Sequence, residues 1–127
     1  MKKYYRCNIC GNIVEMVEDS GNNPFCCGEA MHEMTPGKTE ASVEHHIPQY
    51  TLCDKKIDVC VGAQPHPMTD AHKIKWIALE TDCGFYYKYI NPEKPAKVRF
   101  KLCDGEKPLA IYTYCNLHGL WTNMIEL

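Results

Sequence analysis

Along most of this chain the apolar residues come in short alternating runs, not at helical spacing. Six such runs stand in the C-terminal two thirds: QYTLCDKKIDVCVG, KIKWIALET, GFYYKYI, AKVRFKLC, LAIYTYC and LWTNMIEL. They are rich in β-branched and aromatic residues, and Pro, Gly, Asn and Asp clusters separate them. Six or seven short strands, one every 8 to 12 residues or so, predict an all-β domain, a sandwich of immunoglobulin-like kind. No stretch reads as an amphipathic helix longer than about two turns.

The first 36 residues follow another pattern. Two strand-like runs, KKYYRC and NIVEMVE, are followed by DSGNNP, a strong turn signal. A segment this small cannot bury enough apolar surface to fold without a metal or another staple. TPGKTE, Thr35 to Glu40, reads as a linker, so two domains are expected, 1–36 and 37–127.

Charge narrows the function. Fourteen basic against 16 acidic residues give a net charge of −2, which is not the basic footprint of a nucleic-acid binder. No apolar run approaches the roughly 20 residues that span a bilayer, and MKKYYRCNICG lacks the apolar region of a secretory signal. A cytoplasmic location is expected. The nine cysteines are then better explained as metal ligands than as a disulfide framework, and an odd number cannot pair completely.

Two constellations carry metal chemistry. CNIC places Cys7 and Cys10 on one side of a tight turn, and PFCCGEAM adds Cys26 and Cys27. Four thiolates suit zinc or iron, although adjacent cysteines impose a wider bite than a second C-x2-C would. The bland alternative is a disulfide or buried apolar cysteines. In the second constellation, QPHPMTDAHK presents His66 and His72 in a loop with stiffening prolines, and YCNLHGLW gives Cys115-x2-His118. With His46 these form a candidate four-imidazole, one-thiolate site. That donor set fits iron or copper, and is built for reducing a small oxygen species or for passing electrons. In VEHHIPQY, neighbouring histidines of an extended chain face opposite ways, so only one of His45 and His46 can readily serve one metal.

Together YRCNICGNIVE, CCGEAM, EHHIP, PHPMTDAH and YCNLHGLW resemble desulfoferrodoxin, the two-iron form of superoxide reductase. The resemblance implies a desulforedoxin-like domain whose iron, held by Cys7, Cys10, Cys26 and Cys27, relays electrons. It implies a second, ferrous iron on the sandwich, with His46, His66, His72 and His118 equatorial, Cys115 axial and a sixth position open. The implied reaction combines superoxide, two protons and one electron to give hydrogen peroxide. A rubredoxin-like or other electron donor and a homodimer are implied as well. Glu44 matches a family glutamate that can occupy the open position.

The sequence departs from the family pattern at His45, where most members carry a lysine thought to attract superoxide. An ordinary histidine would be charged roughly a quarter of the time at pH 7, so His45 is a weaker substitute or a tolerated surface residue. The competing functions are a blue-copper-like electron carrier, with Met124 after Cys115-x2-His118, and a zinc-stabilised binding module. Cys53, Cys60, Cys83 and Cys103 have no metal-type spacing and are expected as half-buried strand residues. Trp76 and Trp121 are expected in the core or in a pocket wall.

Overall fold

A computed structural model describes residues 2–37, 46–61, 67–91 and 94–126. The chain divides into two compact units, Met1–Thr35 and Pro36–Leu127. All regular structure among the described residues is β, and no helix is long and apolar enough to cross a membrane.

The first unit contains β1 (Tyr4–Arg6), β2 (Ile13–Glu15), β3 (Phe25–Cys26), β4 (Glu29–Ala30) and β5 (His32–Met34). β1 lies between β2 and β5 in an antiparallel sheet, while β3 and β4 form a two-residue ladder. The apolar runs around Tyr5 and Val14 become β1 and β2 as expected. The other three strands left no pattern in the sequence, because they are two or three residues long and mostly exposed. Tyr5, Cys7 and Met31 make a small buried cluster, with Met16 and Cys26 against it. So small a core leaves the unit dependent on whatever joins its cysteines.

The second unit continues with β6 (Pro48–Cys53), β7 (Lys56–Val61), β8 (Ile74–Thr81), β9 (Phe85–Tyr89), β10 (Lys97–Lys101), β11 (Pro108–Cys115) and β12 (Gly119–Met124). They build a three-stranded sheet, β10-β7-β6, and a four-stranded sheet, β12-β11-β8-β9. Seven strands divided three and four are the count of an immunoglobulin-like sandwich. The run that begins at Gln49, read as one alternating segment, is a hairpin. Asp54 takes φ 56°, and the chain folds back to pair Cys53 with Lys56.

Alternation explains which side chains meet. In β7, Ile57, Val59 and Val61 are buried while Lys56 and Asp58 are exposed, the period-two signature of a half-buried strand. These three join Phe100 from β10, Ile77 and Leu79 from β8 and Ile111 from β11 in the core. Every residue of β11 except Leu109 is buried, so this strand is the rigid axis of its sheet. It ends at Cys115, fully buried in the same cluster. A register shift between Tyr114 and Cys115 slips the pairing with β8, so that Cys115 lies opposite Ile74.

The end of the unit opposite the Cys115 turn is tied by one carboxylate. Glu106 accepts hydrogen bonds from the Thr81 hydroxyl at 2.6 Å, the Tyr86 hydroxyl at 2.6 Å and the Cys103 amide at 3.0 Å. These donors, the Thr81 hydroxyl foremost, pull its pKa down to about 2. The same carboxylate pushes the Tyr86 phenol up to about 12.

Candidate metal centres

The four cysteines of the first unit converge. Cys7, Cys10, Cys26 and Cys27 bring their sulfurs within 4.8 Å of one another. The first pair is positioned by a closed turn, in which the Gly11 amide donates to the Cys7 carbonyl and the Cys7 amide to the Asn12 carbonyl, both at 2.9 Å. Within that turn the Cys10 amide approaches the Cys7 sulfur at 3.4 Å. The adjacent pair reaches the same point because Cys27 adopts φ 54°, a left-handed conformation that turns its side chain back beside that of Cys26. Sulfur separations are 3.5 Å for Cys10–Cys26 and 3.9 Å for Cys26–Cys27. Four sulfurs about 2.3 Å from one ion stand about 3.8 Å apart, so the donors fit a tetrahedral metal.

Electrostatics agree with that fit. Backbone amides, Cys10 foremost, lower the Cys7 pKa to about 6. The Cys10 and Cys26 side chains push the Cys27 thiol up to about 12, and Cys10 and Cys7 raise Cys26. One thiolate forms readily here and its neighbours resist a second. A bound cation removes that resistance, which couples metal binding to loss of the thiol protons.

In the second unit, His46, His72, Cys115 and His118 bring one ligand atom each to within 4.8 Å of one another. Cys115 precedes and His118 ends the three-residue loop that closes the β11–β12 hairpin, whose last ladder pair is Cys115 with Gly119. Gly119 has φ 86°, which lets the chain turn sharply enough to return His118 over Cys115. Cys115 Sγ lies 4.0 Å from His118 Nδ1, which is 3.0 Å from His46 Nε2. Two nitrogens held about 2.1 Å from one ion at right angles would also be about 3.0 Å apart. The donor chemistry therefore fits a redox metal: three imidazoles around one buried cysteine sulfur.

Residues around the donors hold them. Thr113 Oγ1 donates to the His46 carbonyl at 2.9 Å in a buried bond, fixing the His46 backbone to β11. Asn123 Nδ2 donates to the Pro48 carbonyl at 2.8 Å and fixes the chain as it leaves. Asn116 joins the His72 loop to the Cys115 loop. Its side-chain oxygen accepts the Lys73 amide at 2.9 Å, its Nδ2 donates to the Asp70 carbonyl at 3.2 Å, and its own amide donates to the Lys73 carbonyl at 3.1 Å. Sequence reasoning missed these three residues. Asn116 alone left a trace, lying inside the Cys115-x2-His118 spacer.

Other expectations meet mixed outcomes. Glu44, His45 and His66 lie outside the described residues. Met124 pairs with Ala110, five ladder steps from the Cys115–Gly119 pair, or about 17 Å along the strand. It cannot complete a copper site with Cys115 and His118. Cys53, Cys83 and Cys103 are exposed and only Cys60 is half-buried, contrary to expectation. Cys83 and Cys103 fall in connections after β8 and β10, where no core face exists to cover them. Trp121 is half-buried and stacks on His46, so it lines the site.

The comparison with known proteins is consistent along the whole chain. A model of the desulfoferrodoxin N-terminal domain matches residues 1–34, and a desulfoferrodoxin model matches 38–124. The chain is 36% identical to a desulfoferrodoxin of Syntrophotalea carbinolica, covering 94% of this chain and 93% of that one. It is 37% identical to a desulfoferrodoxin of Nitratidesulfovibrio vulgaris, over 92% and 91%. The crystal structure of a superoxide reductase from Treponema pallidum superposes with TM-score 0.84 at 26% identity, covering 97% of this chain and 98% of that one. Both cysteine pairs and the Cys115–His118 hairpin thus fall inside matched segments, and this chain belongs to the desulfoferrodoxin family.

Proposed function

We propose that this protein is a superoxide reductase, an enzyme that adds one electron and two protons to superoxide and releases hydrogen peroxide. The observation that carries the reading is the convergence of His46, His72, His118 and the buried Cys115 within 4.8 Å. Kinship with proteins named superoxide reductase supports it, the Treponema pallidum enzyme among them.

In this reading His46, His66, His72, His118 and Cys115 hold one iron, and Cys7, Cys10, Cys26 and Cys27 hold another. Bound at the first set, ferrous iron would supply the single electron and an open coordination position. Cys115 contributes a charged sulfur that the core shields from solvent, so its donation is not diluted by water. The imidazoles would complete the donor set around the ion. The four-cysteine centre passes electrons from an external donor of rubredoxin-like kind. In the same reading Glu44 would be the carboxylate that can close the open position, and His45 stands in the sequence in place of a lysine. Residues 1–36 form the electron-relay domain and 37–127 the reducing domain. The enzyme works as a homodimer in the cytoplasm, away from membranes and nucleic acid.

The test is stopped-flow or pulse-radiolytic reaction of the reduced, iron-loaded protein with superoxide, followed at the thiolate-to-iron absorption band. Growth of the ferric band with one peroxide formed per superoxide consumed supports the reading. Oxygen as a product, or a colourless protein that takes only zinc from iron-replete medium, would sink it. His45→Lys, which places a permanent positive charge beside His46, is expected to raise the second-order rate at low ionic strength. An unchanged rate removes His45 from the steering role.

A further inference from the structure

Three contacts around one indole ring have no part in the reading above. The Trp121 ring stacks on the His46 imidazole, with centroids 5.0 Å apart and planes 13° from parallel. The segment at Gly37 runs parallel beside β12, bridged to Trp121. Its amide donates to the Leu120 carbonyl and its carbonyl accepts the Thr122 amide, both at 2.9 Å. A Cβ built on Gly37 would stand 2.5 Å from Trp121 Cε3 and 2.6 Å from Cζ3, closer than atoms can approach. The backbone on that side is pinned by two hydrogen bonds, so the ring would have to move.

We infer that Trp121 is a positioning residue, which sets the plane of the His46 imidazole, and that Gly37 is small so that Trp121 can occupy that place. The inference rests on reading His46 as a ligand. A donor nitrogen in the ring plane must aim its lone pair at the metal, and a tilted ring loses that alignment. Metal-binding histidines are usually oriented by hydrogen bonds from the surrounding protein. For His46 the Thr113 bond holds the backbone carbonyl and acts on no ring atom, so it does not itself set ring rotation. A near-parallel aromatic face restrains that rotation. The indole N–H is buried and makes no hydrogen bond to the described residues. The ring face, more than the N–H, is therefore the useful part of the side chain, and phenylalanine should replace it.

The test uses the full-length, iron-loaded protein in four variants: Trp121→Phe, Trp121→Leu, Gly37→Ala and His46→Ala. Readouts are the charge-transfer band of each centre, resistance of each iron to a chelator, and melting temperature. Trp121→Leu keeps apolar bulk without a flat face, which protects folding. We expect Trp121→Leu and Gly37→Ala to shift the band of the His–Cys centre and weaken its iron about 10- to 100-fold. The four-cysteine centre should not change, and Trp121→Phe should stay near wild type. If His46→Ala disturbs the centre while Trp121→Leu and Gly37→Ala do not, the positioning role is overturned. Equal losses at both centres, in step with a lower melting temperature, overturn it also, since the effect would be global. If His46→Ala leaves the band and affinity intact, the ligand reading itself fails and this inference fails with it.

Discussion

Asn116 is not one of the donors, yet its three hydrogen bonds join the loop bearing His72 to the turn bearing Cys115. Asn116→Ala removes two of them and leaves the Lys73 amide without its side-chain acceptor. Iron affinity of the His–Cys centre should fall about 10- to 100-fold with the tetrathiolate band unchanged, as chelator competition would measure. Glu106 makes a prediction of another kind. Its carboxyl titrates at about 2 in the fold and near 4.3 in an unfolded chain, so the ionised form is favoured by folding. That stabilisation is complete above about pH 4.3 and is lost as pH falls toward 2. Glu106→Gln should lower the melting temperature at pH 7 and flatten its decline between about pH 4.3 and 2, read by thermal scans across that range. Glu106 does not stand out in the sequence and Asn116 does so only as part of the Cys115-x2-His118 spacer, because most of their partners lie far along the chain.

The β11–β12 hairpin is the element on which the second site depends. It carries Cys115 and His118, and Trp121 lies two residues beyond Gly119, which closes its turn. Its strands were legible as alternating runs, and its turn as Asn116 to Gly119 between them. Gly119→Ala would meet no neighbouring atom, so its cost is the backbone strain of a side chain at φ 86°. We expect a loss of about 1–2 kcal/mol in chemical denaturation. His118 should be displaced as well, seen as a weaker charge-transfer band. The β6–β7 hairpin was not legible as two strands, because no Gly or Pro marks the turn between them. Only pairing of Cys53 with Lys56 reveals the reversal.

Across the whole chain the two units are stabilised differently. Pro36–Leu127 has a continuous sandwich core and should fold without metal. Met1–Thr35 has three buried residues in its cluster and depends on its sulfurs being joined. Cys10→Ser in the full chain, or removal of the tetrathiolate metal by chelator, should abolish amide protection in β1, β2 and β5. Protection in β8 and β11 should persist. Hydrogen exchange checks this, and equal loss in both units would show that they unfold as one.

Local pattern alone was enough for the all-β class, most of the longer strands and the residue types of the two candidate donor sets. These follow from alternation, turn chemistry and short spacings, which a linear chain displays directly. Cys7 with Cys10, and Cys115 with His118, were visible for that reason. Which distant donors meet was settled only in the folded chain. His46 and His118 are 72 positions apart and come within 3.0 Å because Thr113 and the β11–β12 pairing bring their backbones together. Folding likewise put Met124 at the wrong end of its strand, paired Gly37 where a free linker was expected, and turned Trp121 toward His46. Such facts depend on register and on packing between strands. A shift of one residue would reverse every side chain, and no local pattern encodes which register prevails.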